Sequence, residues 1–406
     1  MRERSAAAPL RKLVLEDGSV FVGKAFGANR EIAGEVVFAT GMSGYVETLT
    51  DPSYRGQIVV LTYPLQGNYG VPTRGESTGG TSAHAVREPF ESSRVQVQAL
   101  VVLRAASHPS HHASEDSLSA WLEREDVPGL EGIDTRALTV RLREHGVMRG
   151  IVTDATTDTS DFAAASKRAL SQDMEHVCAS VSPPGALLFE GGMQRIMLVD
   201  CGAKASITRS LRKRGASVLR VSFQDDLSKY IDQVDGVLLS NGPGDPKDMR
   251  ATVEQIRNVL LPSKKPVFGV CLGNQLLALA AGGDTMKLKY GHRSQNQPVQ
   301  DLLTRRSYVT SQNHGYVVRE ESLPKDFSPW FVNINDGSNE GIRSSSGPWS
   351  SVQFHPEASP GPEDAAFLFD DFLRLTGSLR ASLPAPLPVR ASVARIEAEF
   401  TELTGN

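Results

Sequence analysis

PVFGVCLGNQLLALAAGG runs from Pro266 to Gly283. An apolar run ends at Gly269-Val270-Cys271-Leu272-Gly273, and a second apolar run starts at once. The first reads as a strand and the second as a helix. A cysteine between two glycines at such a junction has the form of a nucleophile elbow. The sharp turn pushes the central side chain outward, and side chains at the flanking positions would collide with neighbouring backbone. The thiol then stands at a helix N-terminus, whose partial positive charge favours a thiolate. The N–H of Leu272 points toward the same spot and can hold an oxyanion. A buried structural cysteine is an equally good reading of G-x-C-x-G taken alone.

Around this stretch, strands and helices alternate. RIMLVDCG is a strand, KASITRSLRKRG a helix, SVLRVSF a strand, VDGVLLSNGPGDP a strand ending in a glycine-proline loop, and EQIRNVLL a helix. The pattern predicts an α/β domain with a mostly parallel central sheet flanked by helices. Ligand sites in such sheets lie at the carboxyl ends of strands. Cys271 and the loop Ser240–Pro246 both fall there. The loop has no Walker lysine and no G-x-G-x-x-G, so it is not a nucleotide loop.

The first half has another rhythm. In KLVLEDGSVFVGKAFG, short runs flank Asp17-Gly18, a β-hairpin turn signal. GEVVFAT, GQIVVLTYP and VQALVVLRAAS read as strands. EDSLSAWLERE and DTRALTVRLREHG read as helices, the second capped by Asp134. This predicts an α+β domain. The expected division is 1–190 for the first domain, 193–378 for the second, and 379–406 for a linker or tail containing LPAPLP. The polar stretch Pro72–Phe90 reads as a surface loop.

Composition narrows the class. The chain has 406 residues and a net charge of -4, without a long basic block, which argues against nucleic-acid binding. Cys178, Cys201 and Cys271 are too few for a disulfide framework and fit a reducing, cytoplasmic setting. No apolar run approaches the ~20 residues of a membrane span. The opening MRERSAAAPLRK lacks the apolar core of a secretory signal.

A thiol nucleophile needs a base. WSSVQFHPEASPGPEDAAFLF contains a strand pattern, Trp349 to Phe354, then His355 and Glu357. In extended chain the i, i+2 spacing puts both on one face. A carboxylate beside an imidazole fixes its tautomer and stabilises its cation. Elbow and base form a Cys–His–Glu set. His108, His111 and His112 in SHPSHHAS lack accompanying ligands and read as a solvated loop rather than a metal site. His314, in TSQNHGYVV, reads as part of a strand-edge loop able to hand polar groups to a ligand.

These motifs resemble the class I, triad-type glutamine amidotransferases: GVCLGNQ for the elbow, HPE for the base, NGPGDP for the oxyanion loop. LEDGSVFVGKAFG, GEVVFATGMSGYVETLTDPSYRGQIVVLTYPLQGNYG and GLEGIDTRALTVRLREHG resemble the small-subunit domain of carbamoyl-phosphate synthetase. Together the resemblance spans roughly residues 12–376. DGSNEGI and SVQFHPEASPGP look closest to the eukaryotic glutamine-dependent forms. The resemblance implies an N-terminal α+β small-subunit domain followed by a class I amidotransferase domain. It implies hydrolysis of L-glutamine through a cysteine thioester and passage of ammonia to a synthetase large subunit or fused synthetase domain. That partner makes carbamoyl phosphate from bicarbonate and ATP. No cofactor or metal is expected on this chain, ATP and magnesium belonging to the partner.

By the same resemblance Cys271 is the nucleophile, His355 the base and Glu357 its orienter. Ser53, Gly242, Gly244, Leu272, Gln275, Asn313, Gly315 and Tyr316 match glutamine-contacting positions. Ser53 comes from the first domain, so the site is expected beside the boundary. Two positions depart from the family. Asn274 stands where histidine is common; it is expected near the thiol, able to hydrogen-bond but uncharged at neutral pH. Ser206 stands where asparagine is usual. A free-standing Cys–His–Glu hydrolase and a non-catalytic regulatory domain are the rival readings. The intact Cys–His–Glu set argues against the second, and the first domain against the former. Whether the product serves pyrimidine or arginine synthesis stays open.

Overall fold

The computed structural model describes residues 8–73, 88–169 and 177–381, with side chains to 377. Most of the Pro72–Phe90 stretch and the tail beyond Ala381 lie outside the described residues.

The strands of the first half close on themselves. They are β1 (Leu10–Leu15), β2 (Val20–Gly27), β3 (Ile32–Ala39), β4 (Gln57–Gln66), β5 (Ala99–Ala105), β6 (Pro128–Glu131) and β7 (Met148–Asp154). Their order is β1-β2-β6-β5-β4-β3-β7, and β7 returns to pair with β1. Asp17-Gly18 makes the expected turn: Gly18 has φ 84°, and Ser19 N–H donates to Asp17 Oδ1. Helices α1 (Tyr45–Thr50), α2 (Leu118–Arg124), α3 (Thr135–His145) and α4 (Phe162–Ala169) accompany the barrel. Ser117 and Asp134 cap α2 and α3 by accepting from backbone N–H groups three residues on. Strand alternation feeds two apolar clusters. Val36 and Phe38 join Leu138 and Leu142 of α3, while Val37 and Ala39 join Leu49 and Trp121 of α1 and α2.

The second half is one ten-stranded sheet. Its elements are β8 (Leu187–Phe189), β9 (Arg195–Asp200), α5 (Ala205–Lys213), β10 (Ser217–Ser222), β11 (Gly236–Leu239), α6 (Arg250–Gln255), β12 (Val267–Val270) and α7 (Leu272–Ala281). They continue with β13 (Thr285–Asp301), β14 (Ser307–Val318), β15 (Phe327–Asn333), β16 (Asn339–Ser344), β17 (Trp349–Val352) and α8 (Phe367–Ala381). Strands β10, β9, β11, β12 and β17 run parallel in that order. Apolar clusters cover both faces of the sheet, one built around α7 and one around α8. The sheet begins earlier than the residue-190 division, because β8 pairs antiparallel with the edge strand β10. Helix α8 runs through Ala381, three residues past the 378 division. Among the described residues, no helix is long and apolar enough to cross a membrane.

Candidate active site

Strand β12 ends at Val270, and Cys271 is the N-cap of α7 with φ 54° and ψ -103°. A non-glycine residue there is strained and persists only where its surroundings over-determine it. They do so through backbone contact. A Cβ on Gly273 would lie 2.2 Å from Leu239 O, and one on Gly269 would lie 2.6 Å from Gly273 O. The glycines let α7 start hard against the strand ends. Cys271 N–H also donates to Val352 O at 2.9 Å, which ties the elbow to β17.

Three residues past that strand, beyond Gln353 and Phe354, the base is in place. His355 Nδ1 is 2.6 Å from Glu357 Oε1. The chain is not extended there, as the i, i+2 argument assumed. Ala358 N–H donates to His355 O, so His355–Ala358 is a turn, and the turn brings the two side chains together. Both are buried. Burial alone pulls the imidazole pKa down, but the Glu357 charge, Cys271 and the Glu357 hydrogen bond raise it to about 10. Burial pushes the Glu357 carboxyl up, yet Lys204 and His355 hold it down at about 2. The pair is an imidazolium carboxylate at neutral pH. His355 Nε2 is buried without a hydrogen-bond partner of standard geometry, beside the thiol whose proximity helps raise its pKa.

Lys204 escaped the sequence reading. Its Nζ lies 3.2 Å from Glu357 Oε1 and donates to Ala358 O at 2.5 Å. It follows β9 at a carboxyl strand end, the signal that could have found it. Asp51 and Asn241 were missed too. Asn313 Nδ2 donates to Asp51 Oδ2 at 2.9 Å, and Asn241 Nδ2 to Ser53 Oγ at 2.8 Å. Both bonds cross between the halves.

A cleft of about 290 Å³ opens over Cys271. Seven of the eight other expected contact residues line it: Ser53, Gly242, Gly244, Gln275, Asn313, Gly315 and Tyr316. Leu272 is buried behind the wall as the first residue of α7. Glu35, Arg55 and Gln57 of the barrel complete the rim, so both halves build the cleft. Gln275 Nε2 donates to Tyr316 O at 2.9 Å and fixes one wall.

Comparison with known proteins bears on this geometry. The family described as "Carbamoyl-phosphate synthase small chain, CPSase domain" matches residues 13–152, and "Glutamine amidotransferase class-I" matches 197–375. The chain is similar to the carbamoyl phosphate synthase arginine-specific small chain of Neosartorya fischeri, 42% identical over 97% of this chain and 85% of that one. It is also similar to the carbamoyl phosphate synthase small chain of Bacillus caldolyticus, 46% identical over 90% of this chain and 96% of that one. The chain belongs to the carbamoyl-phosphate synthase small-chain family.

Within this small chain, two expected placements differ. Asn274 does not face the thiol. Its Nδ2 donates to Gln353 Oε1 at 3.0 Å and its Oδ1 accepts from Ser351 Oγ at 2.8 Å, a fully buried link between α7 and β17. His314 is not in a loop but inside β14, because β14 pairs with β13 across a polar, buried register. Burial holds its pKa well below the usual imidazole range, with His292 and Arg293 adding to the effect. His292, His314 and Glu340 form the one group of potential metal ligands among the described residues. Their ligand atoms lie within 4.8 Å of one another, and the side chains also meet neighbours outside the group. His292 meets Asp336 at 2.8 Å and Glu340 at 3.4 Å, and His314 meets Tyr316 O and Gln312 Oε1 at 2.9 and 3.0 Å.

The remaining candidates stay apart from the cleft chemistry. His108, His111 and His112 are exposed. Burial pushes the Cys178 thiol up to about 12 and Cys201 well above the usual thiol range, with nearby Asp200 acting in the same direction.

Proposed function

We propose that this small chain hydrolyses glutamine in the cleft over Cys271 and delivers ammonia to a synthetase large chain that makes carbamoyl phosphate. The observation that carries the reading is the meeting of an elbow cysteine with the buried His355–Glu357 pair. The Cys271 sulfur attacks the side-chain carbonyl carbon of glutamine, its proton residing on His355. We assign the N–H groups of Leu272 and Gly242 to the oxyanion. His355 Nε2–H protonates the departing ammonia and leaves a γ-glutamyl thioester. The neutral ring then takes a proton from water as it attacks, and glutamate leaves. Glu357 stabilises the imidazolium in both halves of the cycle. Ser53, Gly244, Gln275, Asn313, Gly315 and Tyr316 are assigned to holding the substrate.

A second, small cavity supports delivery of the product inward. It shares Arg293 and Asn313 with the cleft, adds His355, Lys204 and Asp51, and has about 30 Å³ of free space. That is enough for one molecule of water or ammonia. We assign it to the start of the ammonia path.

The test is Cys271→Ala in the assembled enzyme. Glutamine-dependent synthesis is expected to fall by roughly 10⁴–10⁶, the scale for losing a covalent nucleophile, while ammonia-dependent synthesis continues. Glutaminase activity within tenfold of wild type would remove Cys271 from its role.

A further inference from the structure

We propose that Glu91, contributed by the first half, is a positioning residue for the His355–Glu357 pair: by holding Ser206 and Ser359 at once, it fixes the turn that carries Glu357. The proposal rests on the assignment of that pair to glutamine hydrolysis.

Glu91 is 1% exposed, and its carboxylate takes four hydrogen bonds, all from the second half. Oε2 accepts from Ser206 N at 3.0 Å and Ser206 Oγ at 2.6 Å. Oε1 accepts from Arg209 Nη2 at 2.5 Å and Ser359 Oγ at 2.8 Å. On its own side, Glu91 N–H donates to Thr50 Oγ1 at 2.9 Å, which roots it on α1. The carboxylate thus joins α1 of the barrel, the first turn of α5, and the residue two past Glu357.

The turn needs an external hold. Ala358 and Ser359 have φ 54° and 55°, a left-handed pair without glycine. Such residues are strained and persist where the surroundings fix them. Three contacts fix them here. Lys204 Nζ takes Ala358 O, Glu91 takes Ser359 Oγ, and Pro360 packs against Gly44 so closely that a Cβ on Gly44 would lie 2.2 Å from it. Two of the three come from the first half. If Ser359 is released, the turn relaxes toward ordinary φ, and Glu357 shifts relative to Nδ1 of His355.

A competing role is capping alone, since Glu91 also satisfies the N-terminus of α5. The two roles separate in kinetics. Capping acts on stability, whereas positioning acts on turnover and on the imidazolium. The charged or titratable groups facing His355 are Glu357, Lys204, Cys271 and His314, and those facing Glu91 are Lys204, Arg209 and Glu47.

Glutamate release by the full chain is measured across pH for wild type, Glu91→Gln, Ser359→Ala, the double variant and Cys271→Ala, with thermal unfolding of each. Glu91→Gln is expected to lower kcat roughly tenfold to a hundredfold, the scale of a small misplacement of a catalytic group. KM is expected to stay within about threefold, because the substrate contacts are untouched. The basic limb of the profile is expected to move to lower pH, since a slackened Glu357 holds the imidazolium proton less well. Ser359→Ala, which removes one hydroxyl and leaves the α5 cap intact, is expected to change the same quantities in the same direction by less. The double variant is expected to fall short of the sum of the singles, because both cut one arm. Glu91→Gln and Ser359→Ala with kcat and pH profile within about twofold of wild type, beside an inactive Cys271→Ala, would overturn the positioning role. A kcat loss that only tracks loss of folded protein would overturn it equally. Activity surviving Cys271→Ala would instead overturn the hydrolysis reading, and this inference with it.

Discussion

The elbow at Cys271 and the turn at Ala358–Ser359 are both left-handed, non-glycine bends just beyond neighbouring parallel strands. They are held in different ways. The elbow is clamped by backbone within a few residues and one strand: Gly269 and Gly273 admit contact with each other and with Leu239 O. The base turn has no glycine before Gly361 and is held by side chains, Lys204 from the end of β9 and Glu91 from the other half. The nucleophile is therefore set by local geometry and the base by long-range contacts. Perturbing the first half should disturb the base and spare the nucleophile.

The largest expected effect breaks the local clamp. Gly273→Ala puts a methyl group 2.2 Å from Leu239 O, and backbone cannot step aside as a side chain can. Glutamate release should fall by about a hundredfold or more, with a lower melting temperature, because the thiol moves with the helix start. Activity within threefold of wild type would show that the glycine clamp does not set the elbow.

A smaller effect probes the base. The folded His355 pKa is raised to about 10 from 6.5, so its contribution is full below pH 6.5 and lost as pH rises through about 10. The folded Glu357 pKa is lowered to about 2 from 4.5, so its contribution is full above pH 4.5 and lost as pH falls toward 2. The stability gap between wild type and Glu357→Gln should be widest between those windows, near pH 5–6, and narrow toward pH 10. Breaking a buried pair places the maximum at about 3–5 kcal/mol. Denaturant melts at several pH values read it, and a flat difference would contradict the ion pair.

The smallest effect concerns Asn274. Since its amide serves Ser351 and Gln353 rather than the thiol, Asn274→Ala should change glutamine turnover by less than ~10-fold, below the usual range for losing a general base. It should still destabilise the fold by about 1–3 kcal/mol, the scale of buried groups left unpaired. A turnover loss beyond a hundredfold would return Asn274 to the reacting centre.

The same contrast explains what the sequence could tell. The elbow was legible because glycine, cysteine and glycine stand within five residues, and the constraint they answer is equally local. The pairing of His355 with Glu357 was legible from i, i+2 spacing, though the responsible geometry is a turn rather than a strand. Lys204, Asp51 and Glu91 were not, because each acts through a partner more than a hundred residues away. Barrel closure was hidden for a related reason. Strand β6, Pro128–Glu131, is four residues long and contains Pro and Gly, yet it bridges β2 and β5. His314 was misplaced because Asn-His-Gly has loop composition. The β13–β14 pairing overrides it by burying a polar strand.

Covalent catalysis by Cys271 is tested most directly by trapping the intermediate. The wild-type chain is mixed with glutamine labelled in its carbon skeleton, quenched in acid during turnover and digested. A γ-glutamyl label is expected on the peptide containing Cys271 and on no other, and it should vanish in Cys271→Ala. Label on a different residue, or label on the Cys271 peptide that persists without the thiol, would contradict the claim.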